Sequence, residues 1–239
     1  MGVNFVILPS ARLAAGQDTG EGRALELFFK RTLDILAASL GILLIFPVCL
    51  IVALAVKLDS PGPVFYAQER VGINRRRRPT GNPPDNDRRK ADCFGRPFTI
   101  YKFRSMVTDA ERSTGPVWAS ACDSRVTRVG KFLRHSRLDE TPQLWNVLRG
   151  EMSLVGPRPE RPTFVQSLTA SLPDYPKRCS ALPGITGLAQ VKSQYDTSLE
   201  SANRKLQYDL YYLKNGRILL DLKIMAATVK VMARGEGAR

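Results

Sequence analysis

Two adjacent carboxylates, Asp139 and Glu140, stand directly before a predicted helix, in the company of several cations. Those cations are Lys102, Arg104, Arg134, Arg137 and Arg158. Arg158 lies between two prolines, and a guanidinium on so stiff a backbone is suited to grip phosphate in a bidentate way. Acids and cations at a helix start, which itself attracts anions, predict a site for a diphosphate and a hard metal ion. Asp139 suits Mg²⁺, which takes few carboxylates and completes its shell with phosphate and water.

A second interpretation of the same carboxylates needs no chemistry. Acidic side chains are favoured at the positive end of a helix whether or not they react. Adjacent side chains on a helix also point roughly 100° apart, so Asp139 and Glu140 are poorly placed to flank one bond as a symmetric acid and base. One nucleophile with one supporting group fits the spacing better.

The remaining composition excludes several kinds of site. His135 is the single histidine, and the four cysteines, Cys49, Cys93, Cys122 and Cys179, show no paired spacing. Zinc sites and histidine-activated serine or cysteine nucleophiles are therefore disfavoured, and scattered cysteines suit a reducing cytoplasm. The formal net charge of +14 predicts an anionic partner, namely anionic lipid, nucleotide or nucleic acid, unless it only solvates the surface.

Residues 35–56 carry no charge, and as a straight helix they would reach about 33 Å, enough to cross a bilayer. Pro47 lacks a backbone donor and clashes with the carbonyl of Leu43, which predicts a break at Phe46 and Pro47. Both flanks are basic, so the positive-inside rule favours a bent helical hairpin with both ends in the cytoplasm. A kinked single-pass helix is the main alternative, and a buried core helix is less favoured.

The chain divides into a membrane segment and one globular domain. The predicted parts are a mobile tail (1–24), a re-entrant hairpin (25–58) and a catalytic domain (59–239) with a basic insertion loop (73–93). The loop has four consecutive arginines, Arg75 to Arg78, which either hold anionic lipid headgroups or belong to a solvated insertion.

The coarse secondary structure predicts a helix-rich α+β domain with a small β-hairpin. The predicted strands are 64–66 and 98–101, and the predicted helices start at Val126 and Pro142 and cover 205–213 and 218–232. Pro157, Pro159 and Pro162 are expected to exclude regular structure, and 182–187 reads as a rigid turn.

Several long strings in this order resemble one family, the bacterial monotopic phosphoglycosyl transferases, over about residues 28–231. They are KLDSPGPVF (57–65), QERVG (68–72), YKFRSM (101–106), LDETPQLWNV (138–147), MSLVGPRP (152–159) and PGITG (183–187), with Lys30, Arg31 and Asp34 before the apolar run. The resemblance implies a re-entrant membrane segment, a place at the cytoplasmic face of the bacterial inner membrane, and the minimal catalytic form without extra N-terminal membrane helices.

The resemblance also implies a ping-pong reaction. Asp139 would attack the sugar-bearing phosphorus of a UDP-sugar, expel UMP and then pass the phosphosugar to undecaprenyl phosphate. Asp139 would hold Mg²⁺, and Glu140 would orient that carboxylate or assist the metal. The residues that would bind substrate phosphate are Lys102, Arg104, Arg134 and Arg158. Anionic lipids, downstream glycosyltransferases or a second copy of the chain are further expected partners.

Two departures from the family pattern concern the insertion at 73–93 and the region after Gln190, which lacks a Gly-Arg pair. A donor pocket near Thr186, Gln190, Lys205 and Asp209 is implied, without a specific sugar. The rival functions are a membrane-tethered nucleic-acid-binding protein and an inactive scaffold. The arginine-rich loop lacks interleaved stacking aromatics, which argues against nucleic acid, and the retained dyad argues against a scaffold.

Overall fold

A computed structural model describes residues 20–74, 94–110, 123–193 and 198–234. The helices are α1 (Gly20–Asp59), α2 (Arg128–Ser136), α3 (Gln143–Leu148), α4 (Pro162–Ser171), α5 (Leu188–Lys192), α6 (Leu199–Asn215) and α7 (Ile218–Ala233). The strands are β1 (Phe65–Val71), β2 (Pro97–Phe103), β3 (Ser153–Val155) and β4 (Gly184–Thr186), and 3₁₀ helices cover Leu138–Glu140 and Tyr175–Ser180. The predicted helix-rich α+β composition is confirmed. Most of the predicted tail and insertion loop lies outside the described residues.

The β1–β2 pair forms the predicted small antiparallel sheet. Phe65 lies opposite Phe103 and Val71 opposite Pro97, so Lys102 stands one residue from the end of β2. Ile100 and Phe103 of β2 are buried, which fixes the face that the strand turns toward the core.

A second sheet replaces the turn predicted at 182–187. β3 and β4 pair in parallel, with Val155 opposite Thr186. A Cβ added to Gly184 would lie 2.1 Å from the backbone nitrogen of Gly156, so the close approach of the two segments requires glycine. The chain that leads to Arg158 therefore packs directly on β4.

The predicted helices after residue 126 are confirmed as α2, α3, α6 and α7, but the proline-rich stretch differs from expectation. Pro162 begins α4, a position where the missing N–H of proline costs nothing, so the expectation that it excludes regular structure is wrong. Phe132 of α2 and Trp145 of α3, both large apolar side chains, are 62 % and 55 % exposed.

Helix α1 runs without interruption through Phe46 and Pro47. The structure therefore differs from the predicted helix-break-helix at these two residues. A proline inside a helix removes one backbone hydrogen bond, and apolar membrane helices tolerate that loss. Among the described residues, α1 is the one helix long and apolar enough to cross a membrane, with a mean hydropathy of 2.9.

The N-terminal half of α1 is fixed to the globular domain by charged side chains. Lys30 donates to Asp221 of α7 at 2.6 Å, and Arg31 donates to the Val147 carbonyl of α3 at 2.8 Å. Asp34 accepts a hydrogen bond from a backbone N–H of β3 at 3.0 Å. Three elements of the domain thus hold this end of the helix.

The C-terminal end of α1 is fixed by different elements of the same domain. Arg104, which follows β2, donates to the carbonyls of Pro61 at 2.8 Å, Ser60 at 2.6 Å and Val56 at 3.3 Å. Asp59 accepts from a backbone N–H of α2 at 3.1 Å. The anchored stretch of α1 spans about 40 Å, and it lies along the domain rather than projecting from it.

Candidate active site

Asp139 and Glu140 lie in the 3₁₀ turn Leu138–Glu140 between α2 and α3. Arg137 precedes this turn in a left-handed conformation, with φ of 60°, which ends α2 and redirects the chain. Leu138 packs beside buried Leu133, so the turn is held against the core. Neighbouring side chains in a 3₁₀ helix point roughly 120° apart, and the two carboxylates consequently face different surroundings.

Glu140 is held by two cations from different parts of the fold. Lys102 Nζ donates to Glu140 Oε1 at 2.7 Å. Arg158 donates from Nη2 to Oε1 and from Nη1 to Oε2, the latter at 3.3 Å, which makes a bidentate pair. Burial works to raise the pKa of Glu140, but the charges of Arg158 and Lys102 outweigh it and hold that pKa well below its ordinary value. Glu140 is therefore ionised at neutral pH.

Asp139 has the opposite environment, although it is equally buried at 8 % exposure. Within the described part of the chain, its carboxylate accepts no side-chain hydrogen bond, and burial raises its pKa above the ordinary value. The charge of Glu140 adds to the rise, while Lys102, Arg158 and Arg134 oppose it. Neighbouring carboxylates whose pKa values move apart are suited to different roles. Asp139 is the carboxylate that remains available to a ligand.

The surrounding cations are themselves held in a partly dehydrated site. Burial lowers the pKa of Lys102, although the neighbouring Glu140 favours its charged form. Arg134 of α2 donates from Nε to Ser105 Oγ at 3.0 Å, and its charge lowers the pKa of Asp139. Lys102, Arg134 and Arg158 are thus brought together around the two carboxylates, and their binding of substrate phosphate stays a prediction.

Arg104 has a different place from the one predicted. It is buried at 6 % exposure, and its guanidinium donates to the carbonyls of Ser60 and Pro61, directly after α1, and to that of Val56 in the last turn of α1. A helix leaves its last carbonyls without intrahelical partners, and a cation is well suited to satisfy them. These contacts favour a structural role for Arg104 over phosphate binding.

The residues implied for a donor pocket lie in two groups with structural contacts. Thr186 Oγ1 is 2.7 Å from Thr228 Oγ1 of α7, which ties β4 to that helix. Gln190 donates to the Ile185 carbonyl at 3.1 Å. The contact with Thr228 accounts for the burial of Thr186 without a sugar or a uridine, whereas the half-buried Gln190 keeps its Oε1 buried without a hydrogen-bond partner among the described residues.

Asp209 and Lys205 lie on α6, one helical turn apart. Asp209 is 2 % exposed, and its Oδ2 forms an ion pair with Arg178 Nη2 at 2.8 Å. Lys205 is half-buried, and its charge lowers the pKa of Asp209, against the larger effect of burial. A buried ion pair of this kind favours a structural role for Asp209 over a donor contact.

Two residues near the site were missed by the sequence interpretation. Arg178 and Arg70 donate to the backbone carbonyls of Arg158 and Pro159, at 2.9 Å and 3.1 Å. Arg70 stands inside the QERVG string, which carried a family signal but no role. Arg178 lies in a 3₁₀ helix with no periodic pattern, and no sequence signal identifies it.

The described residues contain no group of three or more metal-binding side chains. Mg²⁺ does not need such a group, because it is commonly held by one or two carboxylates with substrate phosphate and water. Asp139 is a buried carboxylate without a side-chain donor, so its oxygens fit this kind of shared site. Glu140 fits less well, since both of its oxygens already accept from cations.

Two buried carboxylates therefore lie among three cations, on a domain fastened along an apolar helix that is long enough to cross a membrane. The chain matches the family described as bacterial sugar transferase over residues 25–235, and it belongs to that family. The matched region includes α1 from its sixth residue onward, the dyad, Arg158 and all of α7.

Three similar proteins show what the family contains. The chain is 43 % identical over 212 residues, 89 % of its length and 45 % of the relative's, to a UDP-N-acetylgalactosamine-undecaprenyl-phosphate N-acetylgalactosaminephosphotransferase of Aeromonas hydrophila. It is 40 % identical over 208 residues, 86 % of its length and 40 % of the relative's, to a UDP-glucose:undecaprenyl-phosphate glucose-1-phosphate transferase of Klebsiella pneumoniae. It is 36 % identical over 223 residues, 89 % of its length and 100 % of the relative's, to an exopolysaccharide production protein of Rhizobium leguminosarum bv. phaseoli. The chain spans less than half the length of the first two relatives.

Proposed function

We propose that this protein transfers a sugar 1-phosphate from a UDP-sugar to undecaprenyl phosphate through a covalent phosphosugar on Asp139. The observation that carries the proposal is the asymmetry of the dyad: Glu140 is held by Lys102 and Arg158, while Asp139 accepts no hydrogen bond from a described side chain. The names of the Aeromonas and Klebsiella relatives supply the substrate class, with N-acetylgalactosamine and glucose as their respective sugars.

In the first half-reaction, a carboxylate oxygen of Asp139 forms a bond to the phosphorus that bears the sugar. The bond from this phosphorus to the bridging oxygen breaks, and its electron pair leaves with UMP. Charge develops on the phosphate oxygens, where Lys102, Arg134 and Arg158 offer positive charge in a buried site. Glu140 keeps two of these cations in place, so they need little reorganisation.

In the second half-reaction, a phosphate oxygen of undecaprenyl phosphate attacks the same phosphorus, and the bond to Asp139 breaks. The products are undecaprenyl-diphosphate-sugar and the free carboxylate. Such a product would begin the assembly of a lipid-linked glycan, and the name of the Rhizobium relative makes an exopolysaccharide one candidate. When bound, Mg²⁺ would neutralise diphosphate charge, and Asp139 would be its protein ligand.

A lipid acceptor requires a site at the membrane surface, and α1 supports that location. Leu43, Leu44 and Ile51 are between 68 % and 72 % exposed on the face of α1 that turns away from the domain. We place this face in one leaflet, with the domain on the cytoplasmic side of the bacterial inner membrane. The net charge of +14 suits contact with anionic lipid.

The anchoring of α1 supports a topology with both ends on one side. Its first half is bonded to α7, α3 and β3, and its last turn to α2 and the segment after β2. A helix that crossed the bilayer would have to draw parts of one polar domain to opposite faces. The cost of placing these polar groups in hydrocarbon disfavours that arrangement.

The test is a half-reaction without acceptor. Protein in membrane discs receives UDP-sugar and Mg²⁺, and we expect UMP to appear once per active site while a peptide containing Asp139 gains the mass of a sugar phosphate. Asp139→Asn should abolish both signals, because an amide is a poor nucleophile for phosphorus. Asp174→Asn is the matched control, since Asp174 pairs with Lys177 at 2.6 Å on the exposed surface.

Three outcomes would contradict parts of the proposal. UMP that requires undecaprenyl phosphate would indicate a ternary complex instead of a covalent intermediate. An adduct on Glu140 would exchange the roles of the two carboxylates. Failure with every UDP-sugar, in membranes that contain the acceptor, would contradict the transferase reaction itself.

A further inference from the structure

The segment that carries Arg158 has few backbone donors of its own. Residues 157–160, here called the arginine loop, contain Pro157 and Pro159, which have no backbone N–H to donate. Buried carbonyls nevertheless need donors, so they must come from outside the loop.

Each of the four carbonyls of the arginine loop accepts such a bond. The donors are the Gly184 N–H to Pro157 at 2.9 Å, Arg178 Nη2 to Arg158 at 2.9 Å, Arg70 Nη1 to Pro159 at 3.1 Å and the Val71 N–H to Glu160 at 2.9 Å. Two of the four donors are arginine side chains. The backbone on both sides of the Arg158 Cα is consequently held by side chains from elsewhere in the fold.

Arg178 is fixed before it reaches the loop. Its Nε donates to Asp209 Oδ2 at 2.9 Å and its Nη1 to Tyr175 Oη at 2.6 Å, and it is 7 % exposed. The guanidinium also lies 4.9 Å from the centre of the Tyr175 ring. With its nitrogens engaged by Asp209, Tyr175 and the Arg158 carbonyl, Arg178 is placed to hold the loop rather than to contact a substrate.

Glu160 links the two arginines that hold the loop. Its carboxylate oxygens lie 3.6 Å from Arg70 Nη1 and 3.7 Å from Arg178 Nη1. Arg70 also donates from Nη2 to Gln68 on the same strand. The loop therefore contributes one acid of its own to the cluster that holds it.

We infer that Arg178 and Arg70 are positioning residues, with Asp209 behind Arg178, and that they aim the Arg158 guanidinium at the reacting phosphate. The inference rests on the proposed function. A long side chain is aimed only as well as its backbone is fixed, and a displacement of 1 Å can cost about 100-fold in rate. The bidentate contact of Arg158 with Glu140 is the geometry that the two carbonyl contacts preserve.

The experiment uses Arg178→Lys and Arg70→Lys in the full chain. Lysine keeps the positive charge, but its single ammonium cannot serve an acid and a carbonyl from two directions as the arginine fork does. We expect UMP release to slow roughly 10- to 100-fold, with kcat affected more than KM. Arg70→Lys guards against a folding defect, since Arg70 is nearer the surface. Arg204→Lys, in an exposed pair with Glu200, is the control and should retain wild-type turnover.

A double-mutant cycle separates positioning from a general structural role. In an Arg158→Ala background, Arg178→Lys should cause no further loss of rate, because the side chain it aims is gone. Equal losses in both backgrounds, or wild-type turnover in both lysine variants, would overturn the inference.

An experimental structure of Arg178→Lys in membrane discs gives a readout independent of catalysis. We expect the Arg158 guanidinium to leave its bidentate position on Glu140 while the fold is retained. Arg158 still bidentate on Glu140 would overturn the inference whatever reaction the protein performs. Wild-type protein that releases no UMP would contradict the proposed function instead.

Discussion

The ends of α1 and the Asp139–Glu140 dyad both bury charged side chains, but they balance those charges differently. At the ends of α1, the charged side chains bond to other groups of the protein itself. Lys30 pairs with Asp221 at 2.6 Å, and Arg104 satisfies carbonyls at the end of the helix. These contacts hold the ends of the helix against the domain.

At the dyad, three cations surround two carboxylates. Lys102 and Arg158 are both bonded to Glu140, while Arg134 contributes positive charge to Asp139 from a greater distance. A buried arginine is therefore not by itself a sign of a functional site. Arg104 and Arg158 are both predicted phosphate ligands, and they differ in their partners: Arg104 donates to backbone carbonyls near the end of α1, whereas Arg158 donates to a carboxylate of the dyad.

The largest effect on turnover is expected from Arg158→Lys. Lysine loses the planar fork, so turnover should fall roughly 10²- to 10³-fold, the usual loss for one preorganised donor at a developing charge. The melting temperature should change little, because the side chain is partly exposed. Steady-state UMP release and thermal unfolding measure the two effects. Arg149→Lys, in a surface pair with Glu151 at 3.4 Å, is the control. Normal turnover in Arg158→Lys would make Arg158 structural, like Arg104.

Arg104→Met should have the opposite effect, a loss of stability with little change in activity. The carbonyls at the end of α1 would lose a charged donor, and unfolding in detergent should become easier by about 3 kcal/mol. Activity per folded molecule should remain near wild type. Lys57→Met is the matched control, because exposed Lys57 donates to the Gly62 carbonyl at 3.1 Å near the same helix end. If Arg104→Met is stable but inactive, Arg104 binds phosphate and is not a structural residue.

The parts of the fold that were predictable rest on local signals. The repeat of apolar positions identifies α6 and α7, and the DETPQ string identifies the dyad before α3. Lys102 and Arg158 were also predicted, although they are 38 and 18 residues from Glu140 in the sequence and both bond to it in the fold. Lys102 and Arg158 were predicted from their positions in the motif strings, without knowledge of this geometry.

The parts that were missed depend on contacts distant in sequence. Arg178 and Asp209 are 31 residues apart, and neither pattern nor charge indicates that they pair. β4 is three residues long and contains Gly184, which looks like a turn until β3 lies beside it. Arg104 was assigned to phosphate because nothing in the segment 101–104 indicates that its partners lie at the distant end of α1.

A smaller effect is expected on the pH dependence of UMP release, in which Asp139 and Glu140 have different roles. Asp139 must be ionised to attack, and burial raises its pKa, so UMP release should rise with pH through a value above that of an ordinary aspartate. At high pH the rate should fall as Lys102, whose pKa is lowered by burial, loses its proton. Glu140→Gln removes a negative neighbour from both groups, so both limbs should move to lower pH. Glu200→Gln, at an exposed position of α6, should leave the profile unchanged. If neither limb of the pH–rate profile moves in Glu140→Gln, Glu140 does not influence the pKa values of Asp139 and Lys102.

The smallest effect is expected from Pro47→Leu. Pro47 lacks the donor that would complete the helix, but both ends of α1 are anchored to one domain, so restoring a regular helix should move a minor fraction of molecules, at most, to a spanning topology. Single cysteines at Leu25 and Lys57, in a chain freed of its own cysteines, report the topology through an impermeant maleimide applied to spheroplasts and to inverted vesicles. In the chain with Pro47, both positions should be labelled in the inverted vesicles alone. Labelling on opposite faces would mean that the α1 anchors do not hold in the membrane, and the distinction between a structural Arg104 and a catalytic Arg158 would lose its basis.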